Sequence, residues 1–168
     1  MNIRILQESD AASYQQLRLS ALQNSPEAFG STYEREAAFC METVAERVKP
    51  TPAKFVLGAF DDKMTLLGIV SFVRETGMKT AHKANIYGMY VAEEAQGKGI
   101  GRLLMMKLIE LAQEYSGVEQ LNLTVVSDNE PAKRLYGSLG FEVYGVERHA
   151  LKYDGQYNDE DFMVLRLL

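Results

Sequence analysis

Gln96-Gly97-Lys98-Gly99-Ile100-Gly101-Arg102 is the stretch on which the reading of this chain turns. It lies between a strand-like run, Asn85 to Val91, and a helical stripe of Leu104, Leu108, Leu111 and Ala112. Glycines at alternate positions let the backbone curl and approach a ligand without side-chain obstruction. The first free N–H groups of the following helix point into that curl, with the positive end of the helix dipole behind them. Such an arrangement suits a pyrophosphate, and Lys98 and Arg102 add positive charge. Two familiar phosphate loops do not fit. A Rossmann fingerprint begun at Gly97 and Gly99 needs Gly or Ala where Arg102 stands, and a Walker A loop needs Ser or Thr where Gly99 follows Lys98. Taken alone, the glycine alternation also fits a flexible loop ahead of a helix.

Working outward from the turn, Met1 to Gln7 alternates like a strand, and Ser9 and Asp10 can cap a helix carrying Ala12, Leu17 and Ala21, closed by Ser25-Pro26. Residues 31–49 read as helical with a break near Phe39 to Met41, and Pro50 and Pro52 end the segment. Lys54 to Phe60 and Leu66 to Arg74 read as strands around an Asp61-Asp62-Lys63 turn, and Gly77 to Lys83 as a polar loop. Beyond the glycine turn come a helix from Gly99 to Tyr115, with Lys107, Glu110 and Glu114 outward, and a strand from Leu121 to Val126. A helix from Asn129 to Leu139 ended by Gly140 follows, then strands Phe141 to Val146 and Phe162 to Leu167. This order predicts a mixed sheet with helices on its faces, with a parallel pair across residues 85–126.

Composition narrows the class. A chain of 168 residues fits one domain, 1–168, and 46% hydrophobic with 24% charged residues is ordinary for a soluble protein. A net charge of -5 argues against a general nucleic-acid binder. The lone Cys40 forms no intramolecular disulfide, which fits a reducing compartment. Met1 to Leu6 is too short and polar for a signal peptide, and no apolar run approaches the ~20 residues that span a bilayer. The expectation is a cytoplasmic protein without membrane or nucleic-acid partners, a monomer or a small oligomer such as a homodimer. His82 and His149 stand apart and form no metal-ligand pattern, so no metal is expected.

The turn resembles the signature of the GNAT superfamily of N-acetyltransferases: Gln or Arg, two residues, Gly, one residue, then Gly or Ala, here Gln96, Gly99 and Gly101. Asn129, Ala132, Leu135, Tyr136, Gly140 and Phe141 resemble the family's second motif, after the strand Leu121 to Val126. The resemblance covers residues 85–146 most closely. It implies an α/β (α+β) GNAT acyl-CoA N-acyltransferase fold, with a mixed central sheet of about six or seven strands and flanking helices. It implies acetyl-CoA as co-substrate, with pantetheine between splayed strands pairing with backbone of Met89 and Val91 on either side of Tyr90. The pyrophosphate would lie on N–H groups of Gly97, Gly99, Ile100, Gly101 and Arg102, in a turn completed by Gln96 and Lys98. Asn129 and Ala132 resemble positions beside the pantetheine arm, and Lys133 one near the nucleotide end. Each position also has a plain structural reading: sheet pairing for Met89 and Val91, a helix N-cap for Asn129, packing for Ala132.

The resemblance also assigns chemistry. Tyr136 stands seven residues after Asn129, about two helical turns, so both can face one ligand. The family's matching tyrosine donates its phenolic proton to the departing sulfur. Read without the family, Tyr136 is a core residue on the stripe Ala132, Leu135, Tyr136, Leu139. The strand before the turn holds no acid where many relatives place a glutamate base, so Glu34, Glu36 or a water chain are the candidates, and Tyr87 or Tyr90 could line the acceptor pocket. Cys40 lacks a base partner for a ping-pong route. The expected function is acetyl transfer to a small-molecule or protein amine by direct attack in a ternary complex; the alternative is a non-catalytic acyl-CoA sensor or scaffold. Acidic residues Glu34, Glu36, Asp154, Asp159, Glu160 and Asp161, with Tyr33, Tyr153 and Tyr157, suggest a cationic acceptor.

Overall fold

Val56, Leu57, Ala59 and Phe60, with Ile69, Val70 and Phe72, are buried on both faces of two adjacent strands, as only the interior strands of a covered sheet can be. The computed structural model describes residues 1–167. Its strands are β1 (Asn2–Ile5), β2 (Lys54–Phe60), β3 (Leu66–Arg74), β4 (Lys83–Val91), β5 (Gln120–Val126), β6 (Glu142–Tyr153) and β7 (Gln156–Arg166). Its helices are α1 (Ala11–Asn24), α2 (Tyr33–Ala37), α3 (Met41–Val48), α4 (Ile100–Glu114) and α5 (Glu130–Ser138). The strands form one seven-stranded sheet in the order β1-β2-β3-β4-β5-β7-β6. Every neighbouring pair is antiparallel except β4 and β5, the pair joined through α4. The expected mixed sheet with flanking helices is therefore the fold observed.

The helices take opposite faces. Ile100 and Leu104 of α4 press on Gly68 of β3, and Phe55 and Phe72 stack at 4.7 Å beside Tyr115 at the end of α4. The other face of β3 and β4 carries Ser71 and Gly88 against Arg18 of α1. The expected break in residues 31–49 falls between α2 and α3. Thr32 caps α2 by accepting from the Arg35 N–H at 3.2 Å.

Two expectations need correction. Asp10 does not cap α1 with its side chain; its carboxylate instead grips Arg4 through two 2.8 Å bonds and accepts from the Gln7 N–H. The last two strands are longer than their apolar cores suggest, and residues 147–161 are not a loop. Asp154 (φ 47°) and Gly155 (φ 76°) make a two-residue hairpin turn between paired Tyr153 and Gln156. Asp-Gly is the local signal for such a turn. It goes unheard in the sequence because β6 is an edge strand, exposed along most of its length, with no alternation of apolar residues to announce it. The acidic run Asp159-Glu160-Asp161 accordingly lies inside β7, paired to β5 and β6.

Candidate active site

β4 and β5 begin side by side and then part. Their parallel register covers only Lys83↔Gln120, Ala84↔Leu121 and Asn85↔Asn122. From Ile86 onward β4 keeps β3 on one edge and, among the described residues, has no strand on the other. The Ala92 N–H donates to Leu67 O at 2.8 Å, so alternation turns the backbone groups of Val91, and of Met89 next along, toward the gap. Gln96 closes the far end by donating its side-chain amide to Val91 O at 3.0 Å. Within β4 the register slips between Tyr87 and Tyr90, because Gly88 (φ 61°) adds one residue to the strand. This bulge was legible only as a glycine inside a strand pattern and was missed.

The turn that follows is built by backbone conformation. Gly97 and Gly99 are left-handed (φ 77° and 78°), and a Cβ on either would meet nothing within 4 Å. Conformation, not crowding, demands glycine there. Gly101 differs: its Cβ would come within 2.8 Å of the Met89 Cε and 3.5 Å of Leu135, so its bareness lets α4 lie close to β4 and α5. Gly99 is the N-cap of α4 and offers no side-chain cap. The Leu103 N–H is bonded back to Gly99 O at 3.1 Å, which leaves the N–H groups of Ile100, Gly101 and Arg102 ahead of the helix ladder. Lys98 donates to Glu94 O and Arg102 to Ser138 Oγ at 2.8 Å, each at the exposed rim with further N–H groups to spare.

α5 flanks the gap from the β5 side. The Asn129 carboxamide oxygen accepts from the Ala132 N–H at 3.3 Å, the expected N-cap, and left-handed Gly140 (φ 96°) follows the helix end. Tyr136 is buried and tilted against Phe141 at 6.0 Å; burial pushes its phenol up to about 12. Among the described residues its hydroxyl makes no hydrogen bond, so it keeps a donor in hand. Lys133 pairs with Asp161 at 2.8 Å and donates to Ser127 O, which draws it toward β7.

The opposite wall, from α1 to α3, holds charge inside the protein. Glu36 is buried and accepts from Arg18 Nε (3.0 Å) and Nη2 (2.9 Å) and from Arg47 Nη1 (2.7 Å). Burial would raise its carboxyl, but these donors and Ser31 overcome it and hold the group at about 2. A carboxylate so committed is no general base and no open acceptor contact, which corrects one sequence candidate. Asp161 is lost to a cationic groove in the same way, through Lys133 and Ser127. Glu34 is exposed, and Tyr87 is exposed with its phenol raised by partial burial and by Glu75. The Tyr90 hydroxyl accepts from the Asn24 amide at 3.4 Å. Cys40 is exposed beside Thr43 on α3. Sequence reading missed Arg18 altogether. Among the described residues its buried Nη1 finds no hydrogen-bond partner, nor does Gln15 Oε1 one helical turn away. A buried unsatisfied donor costs about 1–3 kcal/mol.

Among the described residues no group of three or more His, Cys, Asp or Glu side chains is placed to hold a metal ion, and no helix is long and apolar enough to cross a membrane. A family model of the acetyltransferase (GNAT) domain matches residues 3–162. An L-amino acid N-acetyltransferase of Escherichia coli is 31% identical over 85 residues, 51% of this chain and 52% of that one, so the chain spans about half the length of this relative. A GNAT-family acetyltransferase from Streptococcus pneumoniae superposes with a TM-score of 0.86 over 98% of both chains at 22% identity, a likeness of fold. A Salmonella typhimurium structure with its cofactor acetyl-CoA covers 100% of this chain and 94% of its own, with a TM-score of 0.79 and 25% identity.

Proposed function

The chain belongs to the GNAT acetyltransferase family, and on that premise we propose that it transfers the acetyl group of acetyl-CoA to a primary amine by direct attack in a ternary complex. One observation carries the reading: a parted strand edge that runs straight into an uncapped helix N-terminus. A pantetheine arm carries amides that need partners once buried, and the free edge of β4 at Met89 and Val91 offers them. A pyrophosphate needs convergent N–H donors and a positive field, which Gly97, Gly99, Ile100, Gly101 and Arg102 offer where α4 begins. Gln96 and Lys98 brace the turn from within. Open space above Gly97 and Gly99 leaves room for the phosphates.

Acetyl-CoA supplies an activated thioester; the residues around the gap supply position and hydrogen bonds. Tyr136 supports turnover rather than binding alone. Its phenol, held up at about 12, stays neutral at physiological pH and has a hydroxyl with no other duty. A phenol this weak does not hand its proton fully to a thiolate, whose conjugate thiol has a pKa of about 8.5 in cysteine. Its service is to donate a hydrogen bond to negative charge growing on sulfur in a dry site. Proton removal from the amine falls to a water chain or to exposed Glu34, since Glu36 is locked in its ion pairs. The whole chain acts as one domain on this reading.

The test is thiol release from acetyl-CoA with a broad panel of amines, alongside direct measurement of acetyl-CoA binding. Binding with acceptor-dependent release is expected. Tight binding without release across the panel would establish a sensor or scaffold instead.

A further inference from the structure

The gap between β4 and β5 is closed at Asn85 and open toward the glycine turn. A ligand arm anchored on the turn therefore runs inward along β4, past Val91 and Met89, toward Gly88. Chemistry at its inner end takes place beside the bulge. There the two faces of the sheet differ. Met89 meets Gly101 of α4, whereas Gly88 looks the other way: a Cβ on it would lie 3.7 Å from Arg18 Nη1 and 4.0 Å from Ser71 Oγ.

Arg18 has a side chain 9% exposed, and its guanidinium is only partly used. Nε and Nη2 grip Glu36, while Nη1 has no partner. The charges around it do not balance either. Glu36 is shared between Arg18 and Arg47, so one carboxylate answers two guanidiniums and the cluster carries an uncompensated positive charge. The ring of Phe29 covers the guanidinium at 5.0 Å and meets Tyr90 edge-on at 6.3 Å. Phe29 is half-buried and stands before Gly30, on which a Cβ would meet nothing within 4 Å. Its ring helps to close the charge off from solvent.

We propose that the acceptor carries an acidic group beside its reacting amine, as an α-amino acid does, and that Arg18 Nη1 receives that group at the Gly88 bulge once Phe29 gives way. The inference rests on the acetyltransfer reading above. It reverses the cationic acceptor suggested by the overall acidity of the chain. An anion in this place satisfies the orphaned N–H and balances the cluster, and Ser71 Oγ stands ready as a second donor. A cationic acceptor would meet like charge at a short distance in a poorly screened site.

The experiment compares kcat/KM at saturating acetyl-CoA for L-amino acids, their amides and the corresponding decarboxylated amines. Wild type should favour the free acids by about tenfold to a hundredfold, because the analogues leave the buried donor unpaired. Arg18→Lys keeps a cation for Glu36 but lacks the second arm of the fork. It should raise KM for the acids about tenfold or more relative to its effect on KM for the amides, so that the preference for acids collapses. A simple carboxylic acid such as propionate should compete with the acceptor in wild type where propionamide does not, a readout that needs no variant to fold. Three results would overturn the proposal: equal use of acids, amides and amines; preference for polycations; or an Arg18→Lys defect equal across all acceptors. Each of these leaves acetyl transfer standing. Absence of turnover with every amine would sink the acetyltransfer reading and this one with it.

Discussion

The two walls of the β4–β5 gap are made of different material. On the α4 side the wall is backbone: left-handed Gly97 and Gly99, the free N–H groups at the start of α4, and the bare Cα of Gly101. No charge is buried there, and nothing crowds the curl of the turn. On the α1–α3 side the wall is side chain: Arg18, Glu36 and Arg47 form a buried ionic knot closed by Phe29. A backbone wall can be altered at its lip with little effect on the core. A side-chain wall is part of the core, so its first failure is in stability.

The sharpest attempt to break this contrast is Glu36→Ala. Removing one member of a buried ion pair typically costs about 3–5 kcal/mol, here by leaving Arg18 and Arg47 unanswered. In a chain of this size that lowers Tm by about 6–20 °C, measured by thermal unfolding. The same knot sets an acid limit. Glu36 is held at about 2 in the folded protein, below its unfolded value of about 4.3. Its stabilisation is therefore fully present above about pH 4.5 and is lost as pH falls toward 2, on the order of 3 kcal/mol. Acid unfolding of Glu36→Ala should lack that component. A variant as stable as wild type would erase the distinction between the walls.

Tyr136→Phe addresses the chemistry between them. Loss of a preorganised donor should reduce kcat by about 10²- to 10³-fold, with acetyl-CoA affinity and Tm near wild type. Undiminished kcat, with the chemical step shown to be rate-limiting, would return Tyr136 to a packing role. In the wild type, its absorbance titration should reach its midpoint near 12, later than exposed tyrosines.

Gly99→Val tests the backbone wall directly. A β-branched residue at φ 78° is strained by about 1–3 kcal/mol, and relief means losing the turn's shape. The acetyl-CoA Kd should rise about tenfold to a hundredfold, by calorimetry, while Tm falls by only a few degrees. The smallest effect is expected from Asn129→Ala. Loss of the N-cap to Ala132 should cost about 1 kcal/mol of stability. A rise in the acetyl-CoA Kd beyond that loss would mark Asn129 as a ligand contact as well as a cap.

What could be read directly from the sequence follows the same division. The glycine turn, the helix after it, the Asn129 cap and the Gly140 stop are local, because φ preferences, caps and the helix dipole depend on a few adjacent residues. So is the order of elements, which together with the family's motifs led to the mixed sheet. The splay of β4 from β5 was implied by the resemblance, but where pairing ends, at Asn85 and Asn122, is decided by the sheet as a whole. The bulge at Gly88 depends on the register against β3, and the long hairpin on an Asp-Gly turn without the apolar alternation that would flag it. The knot of Arg18, Glu36 and Arg47 joins three helices. Nothing in the order of residues says which carboxylate will be buried between two arginines, because burial and pairing are properties of how helices pack. For that reason a glutamate that looks like a base from sequence is a structural anion, and an arginine that draws no notice lies beside the bulge with an N–H to spare.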